Sequence, residues 1–415
     1  METVDPLEGA SSQLALAPRP EHVPADRVFD FNVYQQPPAG MSPQEMWFDM
    51  QARATHPVMW TPHNGGHWVA MNPELSEVVL SQWEAFSTKV VMVPREPMGE
   101  TYAKYLPLPL DPPNHGDFRK ILNENLGAKP IARMKPDVRE LTAELIESFK
   151  SKGRCNFTTD FAEQLPVRIF MRVVDLPESD LPKLKYLSDQ FTRPDGSITH
   201  PEVERQFSEY IGPIIRSRRG KEGNDLITEM INGKVYGRPI TDEEAENMCI
   251  QVLIAGLDTV VNLLGFIFSY LATDNDLRRK LANDPALQDD AIVEFLRRFP
   301  LVSNAREVRN EVQFGGVTLK PRDMIMGSTI LVAMSETTNP NALEFQLNRP
   351  MRHFVLFGKG IHVCPGAPLA RLELKIILEE WLARIPEFRL AEGESLSYLS
   401  GIVSAVSPFE LEWDV

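Results

Sequence analysis

Cysteine is scarce in this chain: Cys155, Cys249 and Cys364 are its three, odd in number and widely spaced along 415 residues. They cannot form a disulfide framework, and zinc or iron–sulfur sites need more clustered ligands than these offer. Such usage fits a reducing cytoplasm. Positive charge is also short, with 43 Lys and Arg against 58 Asp and Glu and a formal net charge of −15. That balance argues against nucleic acid or an anionic membrane as a partner. Residues 1–27 lack a basic stretch followed by an apolar core, so they read as an extended N-terminal arm rather than a signal peptide or anchor. Residues 28–415 show no repeat, low-complexity linker or shift of composition, and read as one domain. A flavin or dinucleotide fingerprint is lacking too.

What is present is an ordinary globular composition, 43% hydrophobic and 24% charged, able to bury a large core. The longest apolar run, Met248 to Tyr270, is interrupted by Gln251, Asp258, Thr259 and Asn262. A central Asp is costly in lipid, so a buried helix is expected and no membrane span. Gly65 to Met71 alternates as a strand does, and Pro73 to Leu80 has helical spacing. Pro94 to Pro113 carries prolines at 94, 97, 107, 109, 112 and 113, which predicts a loop. Helical patterns cover Asn114–Phe149, Asp160–Val174, Ser179–Thr192 and Glu202–Arg218, with a turn pair at Gly233–Arg238. Thr241 and Glu244 have the spacing of a capping box and should open the central helix. The chain reads as mainly α, with small peripheral β-sheets.

Two stretches carry chemistry. In Phe357-Gly358-Lys359-Gly360-Ile361-His362-Val363-Cys364-Pro365-Gly366, glycines permit tight turns and the segment after Cys364 is helical. Proline favours the first helical position, so Pro365 places Cys364 at a helix N-terminus, where the dipole should lower its pKa and hold a thiolate. One thiolate can be the axial ligand of a haem; the alternative is an inert, buried cysteine. In Ala255-Gly256-Leu257-Asp258-Thr259, a mid-helix glycine costs about 1 kcal/mol relative to alanine and calls for a packing or functional reason. Small residues at 255 and 256 would leave room for a diatomic molecule. A threonine hydroxyl bonded to the carbonyl one turn back would loosen the helix. Asp258, acidic among apolar neighbours, should have a cationic partner or be neutral.

The pattern Phe357-x-x-Gly360-x-His362-x-Cys364-x-Gly366 resembles the haem-binding loop of cytochrome P450, the haem-thiolate monooxygenases, and three further segments agree with it. Asp111-Pro112-Pro113-x-His115-x-x-x-Arg119 is similar to the helix that holds a haem propionate. Ala255 to Thr259 resembles the oxygen-activation motif, and Glu294-x-x-Arg297 with Arg349 resembles the buried structural triad. Lys185 to Gly196, Cys155 to Thr158 and Gly237 to Thr241 are similar to the camphor 5-monooxygenase family in particular.

The resemblance implies the P450 fold, with a long central helix over haem b (iron protoporphyrin IX) and O2 as co-substrate. It makes Cys364 the metal ligand and His115, Arg119, Arg306 and His362 the propionate partners. Thr259 and Asp258 would be catalytic in oxygen activation and proton delivery, with Lys185 and Arg193 as ion-pair partners of Asp258. Tyr102, with Tyr105 as the alternative, would anchor substrate in a pocket also formed by Gln251, Ile254, Ala255, Val302 and Val403. Close relatives of the camphor enzyme carry Asp where this chain has Asn304, so the charge balance near a propionate differs. A small apolar substrate of terpenoid or norisoprenoid type, camphor- or ionone-like, is implied. So are a 2Fe–2S ferredoxin with its NADH-dependent reductase and a monomeric, cytoplasmic protein. Arg119, Lys120, Arg352, Lys359 and Arg371 would form the ferredoxin-facing positive patch. The competing readings are a peroxide-driven haem-thiolate enzyme and a non-catalytic haem-binding sensor.

Overall fold

The computed structural model describes residues 16–95, 105–192 and 196–415. Residues 16–27 lie against the first sheet: the Ala17 amide donates to Pro62 O at 2.9 Å and Val23 is fully buried. Helix α1 (Pro43–Arg53) begins on a capping box of Ser42 and Glu45. Strands β1 (Val58–Thr61) and β2 (His67–Ala70) pair antiparallel across a turn in which Asn64, Gly65 and Gly66 have positive φ. Both strands are buried throughout, because α2 (Pro73–Ser81) and later elements cover the sheet. Strand β3 (Phe86–Ser87) follows, and the described ends of the proline-rich segment are non-helical, as expected.

The single helix expected over 114–149 is three: α3 (His115–Leu126), α4 (Ala128–Ala132) and α5 (Lys135–Lys150). Gly127 is extended, and Pro136 stands in the first turn of α5, where a missing N–H costs nothing. After β4 (Arg154–Asn156) comes a π-helical turn, Phe157–Ala162, and then α6 (Gln164–Val173), so the expected helix from Asp160 is also divided. Helices α7 (Leu181–Thr192), α8 (His200–Arg218) and α9 (Leu226–Asn232) lead to the predicted hairpin, β5 (Lys234–Val235) and β6 (Arg238–Pro239). Tyr236 and Gly237 take positive φ at its turn.

Thr241 and Glu244 form the predicted capping box and open α10 (Asp242–Gly256). The helical path continues as α11 (Thr259–Thr273), with Leu257 and Asp258 between them. The span 242–273 is long and apolar enough to cross a membrane, but most of its apolar stretch is buried inside the protein. It is the core helix around which α6, α7, α8 and α9 pack.

Helices α12 (Asn275–Asn283) and α13 (Gln288–Arg298) precede β7 (Ser303–Val308), the hairpin β8 (Val312–Phe314) and β9 (Val317–Leu319), and β10 (Met324–Ser328). The main sheet has the order β1-β2-β10-β7-β3. Short α14 (Thr329–Ala333) is followed by a long irregular segment and then α15 (Ala367–Arg384), which packs on α5 and α13. Four short strands, β11 (Arg389–Leu390), β12 (Tyr398–Leu399), β13 (Ala405–Val406) and β14 (Glu410–Glu412), complete the peripheral sheets.

The irregular segment is fixed by charge. Fully buried Glu294 accepts from Arg297 Nε and Nη2 at 3.0 and 2.8 Å and from Arg349 Nε at 3.0 Å. The two guanidiniums also donate to the carbonyls of Ala342, Glu344 and Asn341. Backbone groups outside any helix or sheet thereby find donors, which they need when buried. Arg352 joins the same carboxylate at 3.1 Å and Asp290 at 2.8 Å. It is a fourth member of the network, not a free surface charge, which corrects its expected place in the positive patch.

Candidate active site

A cavity of about 270 Å³ touches both chemical stretches, with Cys364 on one wall and Ala255 and Thr259 on another. The Cys364 loop is built by its glycines. Gly358 and Gly360 have φ of 78° and 72°, and a Cβ at Gly360 would meet Ser81 O at 2.9 Å, so the loop lies directly on the end of α2. The Cys364 amide donates to Phe357 O at 2.8 Å.

The helix beyond Cys364 starts at Ala367, with Gly366 as N-cap, so the proline in its first turn is Pro368 and not Pro365. The thiol counts as exposed, but the surface it shows is cavity wall. Burial pushes its pKa up, against the lowering effect of the Gly366 and Ala367 amides and of Arg119. Desolvation thus opposes the helix N-terminus here, and a coordinated metal is what deprotonates such a thiol outright.

Across the cavity the central helix breaks. Asp258 has φ −127° and ψ −44°, outside helical values. Thr259 Oγ1 donates to Ala255 O at 3.4 Å, the back-bond expected from sequence. Asn262 Nδ2 donates to Asp258 O at 3.0 Å and to Asp258 Oδ1 at 2.9 Å. Lys185, expected to pair with Asp258, instead contacts both Asp189 oxygens at 2.6 Å and Glu163 at 3.7 Å. Its i,i+4 neighbour on α7 is closer to hand than the central helix. Arg193 and Tyr102 lie outside the described residues. Tyr105 donates to Glu204 Oε1 at 2.7 Å and sets its ring against Phe191, so its hydroxyl is committed to α8.

Gly256 also has a packing reason. A Cβ there would lie 2.4–2.7 Å from three ring carbons of Phe170 on α6, so the glycine admits that ring. Ala255 and Gly256 both stand on the cavity wall. The cavity stripe on the central helix is Val252, Ala255, Gly256, Thr259, Val260 and Leu263, a spacing of three and four. Gln251 and Ile254 are off that stripe by one position each and do not line the cavity, and the Ile254 carbonyl instead accepts from Ser188. Val302 lines it; Val403, which forms a backbone bridge with Val302, does not. Gln251, Ile254 and Val403 thus stand outside this cavity. Phe170, Leu263 and Glu373 line the cavity without having been singled out from sequence.

A cationic corner adjoins the Cys364 loop. The rings of His115 and His362 lie 4.5 Å apart, and His115 Nε2 is buried without a partner. Thr88 Oγ1 is 3.1 Å from His362 Nε2. Buried Arg306 donates from Nη1 to Ala305 O at 2.8 Å and lines the cavity, and Arg119 donates to Val363 O. Burial, His115, Arg306 and Arg119 together push His362 down to about 3. Burial lowers Arg306 to about 10, with Asp111 opposing. Asp111 is itself held by Ser87 at 2.5 Å and by Arg309. Arg306 and His362 on the cavity wall, with Arg119 and the orphaned nitrogen of His115 beside them, suit an anion with several oxygens. A thiol ligand, an apolar slot and a carboxylate-binding corner are the set a haem with two propionates requires.

Comparison with known proteins agrees. A probable cytochrome P450 127A1 of Sinorhizobium fredii is 31% identical, over 95% of this chain and 97% of its own length. The chain belongs to the cytochrome P450 family. The cytochrome P450 family model matches residues 197–392. The crystal structure of CYP101J2 is 56% identical with a TM-score of 0.90, covering 96% of this chain and all of that one. CYP101C1 follows at 32% identity and a TM-score of 0.87 over the same share. This P450 is therefore a monooxygenase of a family that uses haem b and O2, and its mainly helical fold with small sheets is the family's.

Proposed function

We propose that this P450 inserts one oxygen atom from O2 into a C–H bond of a small apolar substrate, a terpenoid or norisoprenoid of camphor or ionone size. The observation that carries this reading is the cavity that joins Cys364 to the Ala255–Thr259 notch, with walls mostly apolar. Bound haem supplies an iron whose thiolate ligand favours O–O cleavage. Cys364 would be its thiolate ligand, and His115, Arg119, Arg306 and His362 would hold its carboxylates. Thr259 presents a hydroxyl at the notch, and Asp258, kept in place by Asn262, passes protons inward. Val252, Leu301 and Val302 exclude water and favour an apolar ligand.

Electrons come from a 2Fe–2S ferredoxin and its NADH-dependent reductase, in the cytoplasm, with the P450 acting as a monomer. With Arg352 withdrawn into the core network, exposed Lys120, Lys359 beside Glu77, and Arg371 over the Phe357 ring are the cations left to attract an acidic partner.

The test is twofold. The reduced protein should give the carbon-monoxide spectrum of a thiolate haem, lost in Cys364→Ser. With ferredoxin and reductase it should consume NADH only when a camphor- or ionone-type ketone is added, and form a hydroxylated product. A thiolate spectrum with no substrate-dependent consumption across such compounds would favour the sensor instead. Turnover by peroxide alone would favour the peroxide-driven reading.

A further inference from the structure

The cavity stripe on α15 runs Gly366, Leu369, Ala370, Glu373, spaced three and four apart, so a carboxyl group stands in line with small and apolar residues on the Cys364 side of the pocket. Glu373 is 1% exposed, and its Oε1 is buried with no hydrogen-bond partner. At the helical rise it sits about 10 Å along the axis from Gly366, beyond contact with the sulfur.

The helices packed on α15 bring no free cation to it. Arg139 of α5 is held by Glu379 and Glu380, Lys375 by Asp289 of α13, and Arg278 and Arg279 of α12 by Glu387, while Lys129 of α4 is exposed. Cys364, Lys359, Arg306 and His362 line the same cavity without shifting it, and burial alone raises its pKa to about 8. An apolar side chain would leave no polar atom unpaired there, whereas a buried carboxyl without a partner is destabilising even when neutral.

We propose that Glu373 is a positioning residue for the redox state of the bound cofactor: a carboxylic acid in the cofactor wall whose protonation is coupled to the electron on the iron. The inference rests on the haem-thiolate reading above. One-electron reduction by the ferredoxin adds a negative charge to the metal–thiolate pair. An ionised Glu373 opposes that charge in a medium of low dielectric constant, and a neutral one does not. Above its pKa, reduction is therefore accompanied by uptake of one solvent proton on Glu373: carboxylate, proton, electron and ferric iron become carboxylic acid and ferrous iron. Below it, the electron arrives alone.

The experiment is potentiometric titration of the holoenzyme with dithionite and mediators, from below to above about pH 8, for the wild type and Glu373→Gln. The wild-type potential is expected to fall as pH rises through that range, while the variant stays flat at the wild type's low-pH value. In infrared spectra, a carboxylic acid band present at neutral pH should be missing from the variant. Equal slopes in the two proteins, or a band that does not depend on residue 373, overturn the proposal. Should Glu373→Gln lose haem, Glu373→Leu serves the same test, since a merely structural role leaves the slope where it was. A wild type without the thiolate spectrum overturns the parent reading and this one together, so the two failures are told apart.

Discussion

The ring of Phe170 occupies the place where a side chain at Gly256 would begin, with three of its carbons 2.4–2.7 Å from that point. Two effects of Gly256→Ala then compete. Alanine gains about 1 kcal/mol of helix propensity, and overpacking a filled site costs about 1–3 kcal/mol. At these separations the clash wins. Gly256→Ala should lower the thermal midpoint, and adding Phe170→Leu, which vacates the space, should recover it or exceed the wild type. A single variant as stable as the wild type would show that the ring is free to move.

Glu294 answers to three arginines, and removing one does not have the same effect as removing another. Arg297→Ala leaves a fully buried carboxylate short of its main partner and should cost about 3–5 kcal/mol, with the segment leading to the Cys364 loop and the haem lost together. Arg352 has 14% of its side chain exposed and also serves Asp290, so Arg352→Ala should cost clearly less. Urea unfolding of both variants, followed by fluorescence and by haem absorbance, checks the order.

How far the sequence went can be judged at particular residues. The capping box at Thr241 and Glu244, the hairpin turn at Tyr236 and Gly237, and the Glu294 network with Arg297 and Arg349 were all legible, because each depends on local spacing or a specific motif. The break of 114–149 at Gly127 was visible as a glycine but was outweighed by continuous apolar periodicity. The pocket was the least legible. Gln251 and Ile254 differ from the cavity stripe by one position, about 100° of helix, and a run apolar on nearly all sides does not reveal which face meets the cavity. The role of Gly256 depends on Phe170, a residue 86 positions away, and nothing local records that contact. Lys185 was drawn to Asp189 by its own helix, a pair that i,i+4 spacing does record.

The cationic corner predicts graded haem affinity. Arg306 is buried and lines the cavity, so Arg306→Leu removes a charge-assisted contact of about 1.5–3 kcal/mol, a loss of roughly tenfold to a hundredfold in affinity. Arg119 also bonds Val363 O and Asn123, so Arg119→Leu should both weaken haem binding and loosen the ligand loop, seen as a less uniform thiolate spectrum. Haem transfer to an excess of apomyoglobin measures the first effect. Identical transfer rates in wild type and Arg306→Leu would remove Arg306 from the propionate site.

The pH dependence of stability should carry a contribution from His67, on β2. Both ring nitrogens are buried, and burial lowers its pKa from 6.5 to about 4, against a weak contact with the His63 backbone that raises it and with the His63 charge adding to the lowering. The folded protein therefore holds the ring neutral, while the unfolded chain takes up a proton below about pH 6.5. The stabilisation is fully present above 6.5 and is lost as pH falls through about 4. Across that window it amounts to roughly 3 kcal/mol, from 1.36 kcal/mol per pH unit. His67→Gln keeps a polar side chain that does not titrate. Its unfolding free energy should decline less than the wild type's between about pH 7 and pH 4, by that amount, while groups common to both proteins cancel. Parallel urea titrations of the two proteins at several pH values give the difference directly. Curves that stay parallel would mean that His67 finds a proton-accepting partner, or solvent, in the folded protein.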